Sequence, residues 1–122
     1  MYATSWSQVP ETTHLPNNFR RAVAGKELGV NRITWVHPTS LPAHIHEDAE
    51  KAIIVLQGAI SFTVNAEELT LGEGDVAIVP RNAVHSGHSI EGKAVFIEIF
   101  APMRIENLAA FLGDTSITIV EA

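Results

Sequence analysis

The chain reads as an all-β domain, an antiparallel sandwich or barrel, and three observations point there. Short runs rich in Val, Ile and Phe recur along it, turn residues separate them at close intervals, and one stretch alone has helical spacing. The runs are "NRITWVHP" (31–38), "KAIIVLQ" (51–57), "AISFTVN" (59–65), "EELTL" (67–71), "DVAIVP" (75–80), "VHSGHS" (84–89) and "KAVFIEIF" (93–100). Pro38 and Pro42, Gly58, Gly72 with Gly74, Pro80 and Gly92 stand between them as breakers. "RIENLAAFLG" (104–113) predicts one short C-terminal helix, with Leu108, Phe111 and Leu112 at core spacing and Gly113 as its stop. A last strand is expected in "SITIVE" (116–121). Residues 1–19, with Pro10 and Pro16 among mixed polar residues, read as an N-terminal arm, and residues 20–122 as a single domain.

At 122 residues the chain can bury a core without staples. Eight basic residues against fourteen acidic give a net charge of −6, which argues against a nucleic-acid or anionic-membrane partner. The absence of cysteine excludes disulfides, thiolate ligands and a cysteine nucleophile. "MYATSWSQVPETTHLPNNFRR" lacks the basic-then-apolar pattern of a signal peptide, and no apolar run approaches the ~20 residues of a membrane helix. The expectation is a cytoplasmic protein that takes a small-molecule substrate.

Alternation in "AVFIEIF" puts Val95, Ile97 and Ile99 on one side and Phe96, Glu98 and Phe100 on the other. A barrel strand needs one apolar face for its interior; a second needs cover from another layer or another subunit. A homodimer is therefore expected.

His44 and His46 in "HIH" lie two apart, so a strand would point both imidazoles the same way, within reach of one metal ion. His85 follows the turn "PRNA" about forty residues later. On the HxH alone, three unrelated histidines, two of them in a surface turn, remain the better account. The frame around them decides. "PTSLPAHIHEDAEKAIIVLQG" supplies His44, His46 and a closing Gly58, with Pro38 where the pattern opens on glycine. "GDVAIVPRNAVH" supplies Gly74, Pro80 and His85, with Asn82 in a glycine slot, a mild change because asparagine tolerates left-handed backbone angles. Across residues 20 to 104 this resembles the cupin superfamily. The resemblance implies a jelly-roll β-barrel of two antiparallel sheets. It says less about function, because that fold hosts many chemistries.

"FRRAVAGKELGVNRITWV" and "VFIEIFAPMRIENL" further resemble the small cupins that linearise unsaturated uronate sugars in pectin and alginate breakdown. That resemblance implies a metal on the two HxH histidines, on a glutamine or glutamate five residues after the second, and on the late histidine. These map onto His44, His46, Lys51 and His85, so Lys51 is the departure. It also implies that Glu98, Phe100 and Arg104 face the cavity.

Glu98 stands alone in an apolar strand beside Phe96 and Phe100. Facing inward, it would have its pKa raised by desolvation, which suits a general acid or base. A plainer account is an outward glutamate paired with a lysine on the next strand. Arg104 could clamp a substrate carboxylate with two parallel hydrogen bonds, or sit solvated at a helix start. Six residues separate Lys51 from Gly58, a register that turns Lys51, Ile53 and Val55 inward and Glu50 outward. A one-residue bulge would offer Glu50 to the metal instead. An inward Lys51 should be neutral or turned away from a cation; a neutral lysine could ligate, act as base or form a Schiff base. His14, His37 and His88 read as surface or edge residues, with His88 a candidate for the pocket mouth, and Arg81 as a surface residue.

The expected function is a metal-dependent enzyme acting on a small anionic oxygenated substrate such as an unsaturated uronate. A divalent ion (Zn, Ni, Mn or Fe) would sit on His44, His46 and His85, Glu98 would move the proton, and Arg104 would hold the carboxylate. Two alternatives stand beside it. One is a metal-poor lyase, dehydratase or cyclase that uses Lys51 and a histidine; the other is a non-catalytic sugar- or metabolite-binding barrel.

Overall fold

The structure, a computed structural model, describes residues 2–46, 48–103 and 117–120. Two sheets make up the body. The larger runs β1(Thr12–Leu15), β2(Asn18–Ala24), β3(Gly29–Val36), β10(Lys93–Ala101), β5(Glu50–Gln57) and β8(Val76–Val79), with β11(Ile117–Ile119) parallel to β2. The smaller runs β4(Ser40–His44), β9(His85–Ser89), β6(Ala59–Val64) and β7(Glu67–Gly72). Their other pairings are antiparallel, as an all-β barrel of two sheets requires. Each run from residue 51 to 100 falls on a strand, as does the run at 31. The helix expected over 104–113 lies outside the described residues.

Three strands escape the sequence periodicity. β2 buries Asn18, Arg20, Ala22 and Ala24, so its inner face carries polar and small residues where a pattern search looks for apolar ones. β1 is four residues long and β4 contains Pro42. Residues 12–15 and 18–19 of the expected arm thus belong to the larger sheet. Ahead of them, Arg21 ties down the segment by donating to the carbonyls of Trp6 (3.2 Å) and Val9 (2.7 Å) and pairing with Glu11 (3.3 Å).

The turn residues behave as their chemistry demands. Asn82 has φ 65°, the left-handed conformation that its slot needs. Gly58 has φ 73°, and a Cβ there would run into the carbonyl oxygen of Lys93, so nothing larger fits between β5 and β10.

The interior divides into two regions. One is apolar: Ile33, Trp35, Val55, Ile60, Phe62 and Phe96 pack there, Trp35 against Phe96 edge to face at 5.0 Å between centroids. The other is polar: Arg20, Asn31, Lys51, Glu98 and His85 are all buried. Register makes the second region. Asn31 and Glu98 pair across β3 and β10, Glu98 and Ile53 across β10 and β5, and Lys51 lies one inward step away, opposite Phe100. Val95 is itself buried, beside a bulge in which Leu56 is the extra residue of β5. Ile97 and Ile99 are half-buried, so the outer face in need of cover begins there and continues to the exposed Val76 and Ile78.

Candidate metal centre

His44 ends β4 and pairs directly with His85 at the start of β9; His46 follows β4, where its carbonyl accepts the backbone N–H of Asn82 (3.0 Å). The strand register and the "PRNA" turn therefore bring together residues forty apart in sequence. The ring centroids of His44 and His85 are 4.1 Å apart, and those of His46 lie 5.0 and 5.2 Å from them. One ligand nitrogen from each falls within 4.8 Å of the others.

Their tautomers are set by the backbone. Nδ1–H of His44 donates to the Pro42 carbonyl (2.8 Å), and Nδ1–H of His85 to the Ala83 carbonyl (2.9 Å). Each bond assigns the proton to Nδ1 and the lone pair to Nε2, the arrangement that orients metal-binding imidazoles. His85 Nε2 is buried and has no hydrogen-bond partner among the described residues. A buried nitrogen lone pair left over in this way is what a bound cation would satisfy. Burial, with the charges of Lys51, His44 and His46, brings the pKa of His85 down to about 3 against the bond to Ala83; burial likewise lowers His44. Both stay neutral in the physiological range, the state that ligates. The donor set therefore fits a borderline divalent ion.

Lys51 enters the barrel with Ile53 and Val55, as the count from Gly58 predicts. Its Nζ is not turned away. It lies 2.9 Å from Glu98 Oε2 and over the rings of Phe62 and Phe100, 5.4 and 5.5 Å from their centroids. Those rings reach the histidines too: Phe62 stacks on His85 at 5.9 Å and Phe100 meets His46 at 5.1 Å. Glu98 is inward as expected, but its pKa moves the other way from the expectation. Burial pushes it up, and the charges of Lys51 and Arg20 outweigh burial, holding the carboxyl below its usual range. Periodicity does not reveal Arg20, because its charge breaks the apolar alternation of the inner face of β2.

Glu50 is exposed and paired opposite Ala101, so the bulge that would have carried it inward does not occur there; β5 bulges at Leu56 instead. Glu50 is therefore no ligand to this centre. Arg104 lies outside the described residues. His14 is buried rather than at the surface, and burial followed by the charge of Arg20 brings its pKa down to about 4. His37 and His88 are exposed and line a separate cleft with Pro38, Thr39, Ser40 and Ser89.

Residues 33–100 match the family model described as Cupin domain. Quercetin 2,3-dioxygenase of Bacillus subtilis (strain 168) is 36% identical over 75 residues, 62% of this chain and 22% of that protein. An uncharacterized protein of Aquifex aeolicus (strain VF5) is 33% identical over 64 residues, 52% of this chain and 53% of the other. The chain thus spans 22% and 53% of the length of these relatives. Among solved structures, KdgF from Halomonas sp. superposes with a TM-score of 0.77 at 23% identity, covering 84% of this chain and 96% of that one. An RmlC-like cupin from Shewanella frigidimarina NCIMB 400 gives 0.76 at 19%, covering 84% and 91%. At such identities the likeness speaks for the fold.

Proposed function

The chain belongs to the cupin domain family, and from that premise we propose that it is a metal-dependent enzyme acting on a small anionic oxygenated substrate of the unsaturated-uronate kind. The observation that carries this reading is the convergence of His44, His46 and His85, with the Nδ1–H groups of His44 and His85 engaged by backbone carbonyls. A divalent ion bound there would act as a Lewis acid toward a substrate hydroxyl or carbonyl oxygen. The protein supplies the rest. Phe62 and Phe100 supply an apolar lining, each ring meeting a histidine of the cluster and lying under Lys51 Nζ. Lys51 and Glu98, 2.9 Å apart, form a donor and an acceptor through which a proton can pass during ring opening or tautomerisation. Arg104 is proposed to hold the substrate carboxylate, as the resemblance to uronate-linearising cupins implies.

The sequence likeness to quercetin 2,3-dioxygenase supports a second reading, an oxygen-consuming one. Metal analysis of purified protein, followed by turnover assays, separates them. Near-stoichiometric metal with loss of unsaturated uronate absorbance supports the first reading. Oxygen uptake on a flavonol supports the second, and protein that stays metal-free after incubation with Co(II), Ni(II) and Zn(II) rejects both.

A further inference from the structure

Lys51 stands where the uronate-linearising cupins place an oxygen ligand, and it brings a positive charge to the wall of a cation site. Burial makes that charge count: Lys51 is 2% exposed, in a region where opposite or like charges are weakly screened. The ammonium has three N–H donors. One is used by Glu98 Oε2, and the other neighbours found are two ring faces, Phe62 and Phe100, which accept weakly. Both rings also touch a histidine of the centre, so one aromatic layer spans from Lys51 to the metal ligands. Lys51 is close enough for its charge to bear on both His44 and His85. A dication on the histidines would thus lie across one aromatic layer from an ammonium whose hydrogen bond among the described residues is to Glu98 Oε2.

We infer that Lys51 is an anion receptor, and that metal and a small carboxylate bind to this pocket together, each raising the affinity of the other. The ligand class is a carboxylate with an adjacent oxygen, a 2-hydroxy or 2-oxo acid group, whose negative charge lies between Lys51 and the cation. Glu98 also positions the ammonium, its Oε2 accepting a hydrogen bond from Nζ at 2.9 Å. This rests on the reading of the three histidines as a metal centre, and it deepens that reading by naming what the fourth position does. Where a carboxamide or carboxylate would tighten the metal alone, the lysine makes tight metal binding conditional on an anion. Coupling between two ligands is reciprocal, so either can be used to read the other.

The test is calorimetric titration of metal-free protein with Co(II) in three buffers at one pH: plain, with glycolate, and with ethylene glycol as the neutral analogue. Glycolate is expected to tighten Co(II) binding by about tenfold, within the range usual for coupled sites, and ethylene glycol to leave it unchanged. Lys51→Gln keeps an amide donor for Glu98 and removes the charge. It is expected to bind Co(II) more tightly than the parent in plain buffer and to gain less than about threefold from glycolate. A parent that gains nothing from glycolate overturns the inference, as does an equal gain in parent and variant. Because the parent comparison stands alone, a poorly folded variant does not rescue it. Absence of Co(II) binding in every buffer rejects the metal centre itself; binding without a glycolate gain rejects only the role of Lys51.

Discussion

Nζ of Lys51 and Oε2 of Glu98 form a 2.9 Å ion pair in the barrel interior, on side chains that are 2% and 6% exposed. The two residues sit on adjacent strands, β5 and β10, one inward step out of direct register. The pair accounts for a buried lysine at the position where the resemblance to uronate-linearising cupins implies a metal ligand. An isolated ammonium there would have to lose its proton or leave; one matched by a carboxylate can stay. It also accounts for the depressed pKa of Glu98, since the cations Lys51 and Arg20 overcome the effect of burial.

Breaking this pair from one side should therefore be severe. Glu98→Leu leaves a buried ammonium without its carboxylate and is expected to cost about 3–5 kcal/mol in urea unfolding. Lys51→Met combined with Glu98→Leu removes both charges and should recover most of that loss. If the double variant is as unstable as the single one, the pair is not the source of the cost.

Much of this was legible in advance, for identifiable reasons. Most strands from β5 to β10 are short runs of Val, Ile, Leu and Phe bounded by Gly or Pro, so local chemistry reports them. The histidines are legible through the frame around them, Gly58, Gly74, Pro80 and Asn82 at the positions that carry the resemblance to cupins, and not through their spacing alone. β2 was not, because its inward residues Asn18 and Arg20 serve a polar interior and erase the apolar period. The Lys51–Glu98 pair was missed for a related reason. Sequence offers each residue singly, as inward or as paired, whereas the barrel makes them inward and paired with each other. Partnership across strands depends on register, which a single strand does not encode.

Metal-free protein should lose stability as pH falls below about 6.5. His14 and His85 have pKa values near 4 and 3 in the folded state, against 6.5 when unfolded. Between those values the unfolded chain takes up protons that the folded chain refuses, so unfolding is favoured as pH drops. Each histidine contributes a slope of up to about 1.4 kcal/mol per pH unit, fading once pH passes below its folded pKa. His14→Phe should flatten the profile between pH 6 and 4, read by chemical denaturation at several pH values. An unchanged slope would mean that His14 protonates freely in the folded protein.

The outer face of the larger sheet is expected to pair two copies of the chain. Ile78, Ala52, Ile99 and Val30 lie in one cross-strand row, and Val76, Ile54 and Ile97 in the next. Val76 and Ile78 remain 60% and 55% exposed on the edge strand β8. Covering each would contribute roughly 1.5–3 kcal/mol. Sedimentation velocity of the parent should show a dimer at micromolar concentration, and Val76→Glu with Ile78→Glu should shift it to monomer without changing the far-ultraviolet spectrum. A parent that is monomeric throughout removes this expectation.

The last prediction separates the three histidines from the glutamate that a different register would have offered. A ligand that binds the folded state alone stabilises it by about 2.7 kcal/mol at a hundred times its dissociation constant. For a domain of this size that amounts to an increase of several degrees in Tm. Ni(II) or Zn(II) at such an excess should raise the Tm of the parent accordingly. His85→Ala should abolish the rise, because it deletes the buried Nε2 that has no hydrogen-bond partner among the described residues. His44→Ala should do the same, because His44 faces His85 across β4 and β9. Glu50→Ala should leave the rise intact, since Glu50 is exposed and the pairing of β5 with β10 is regular from Glu50 to Val55. If Glu50→Ala lost the metal-dependent rise while His85→Ala kept it, the centre would have to be built on the other face of β5.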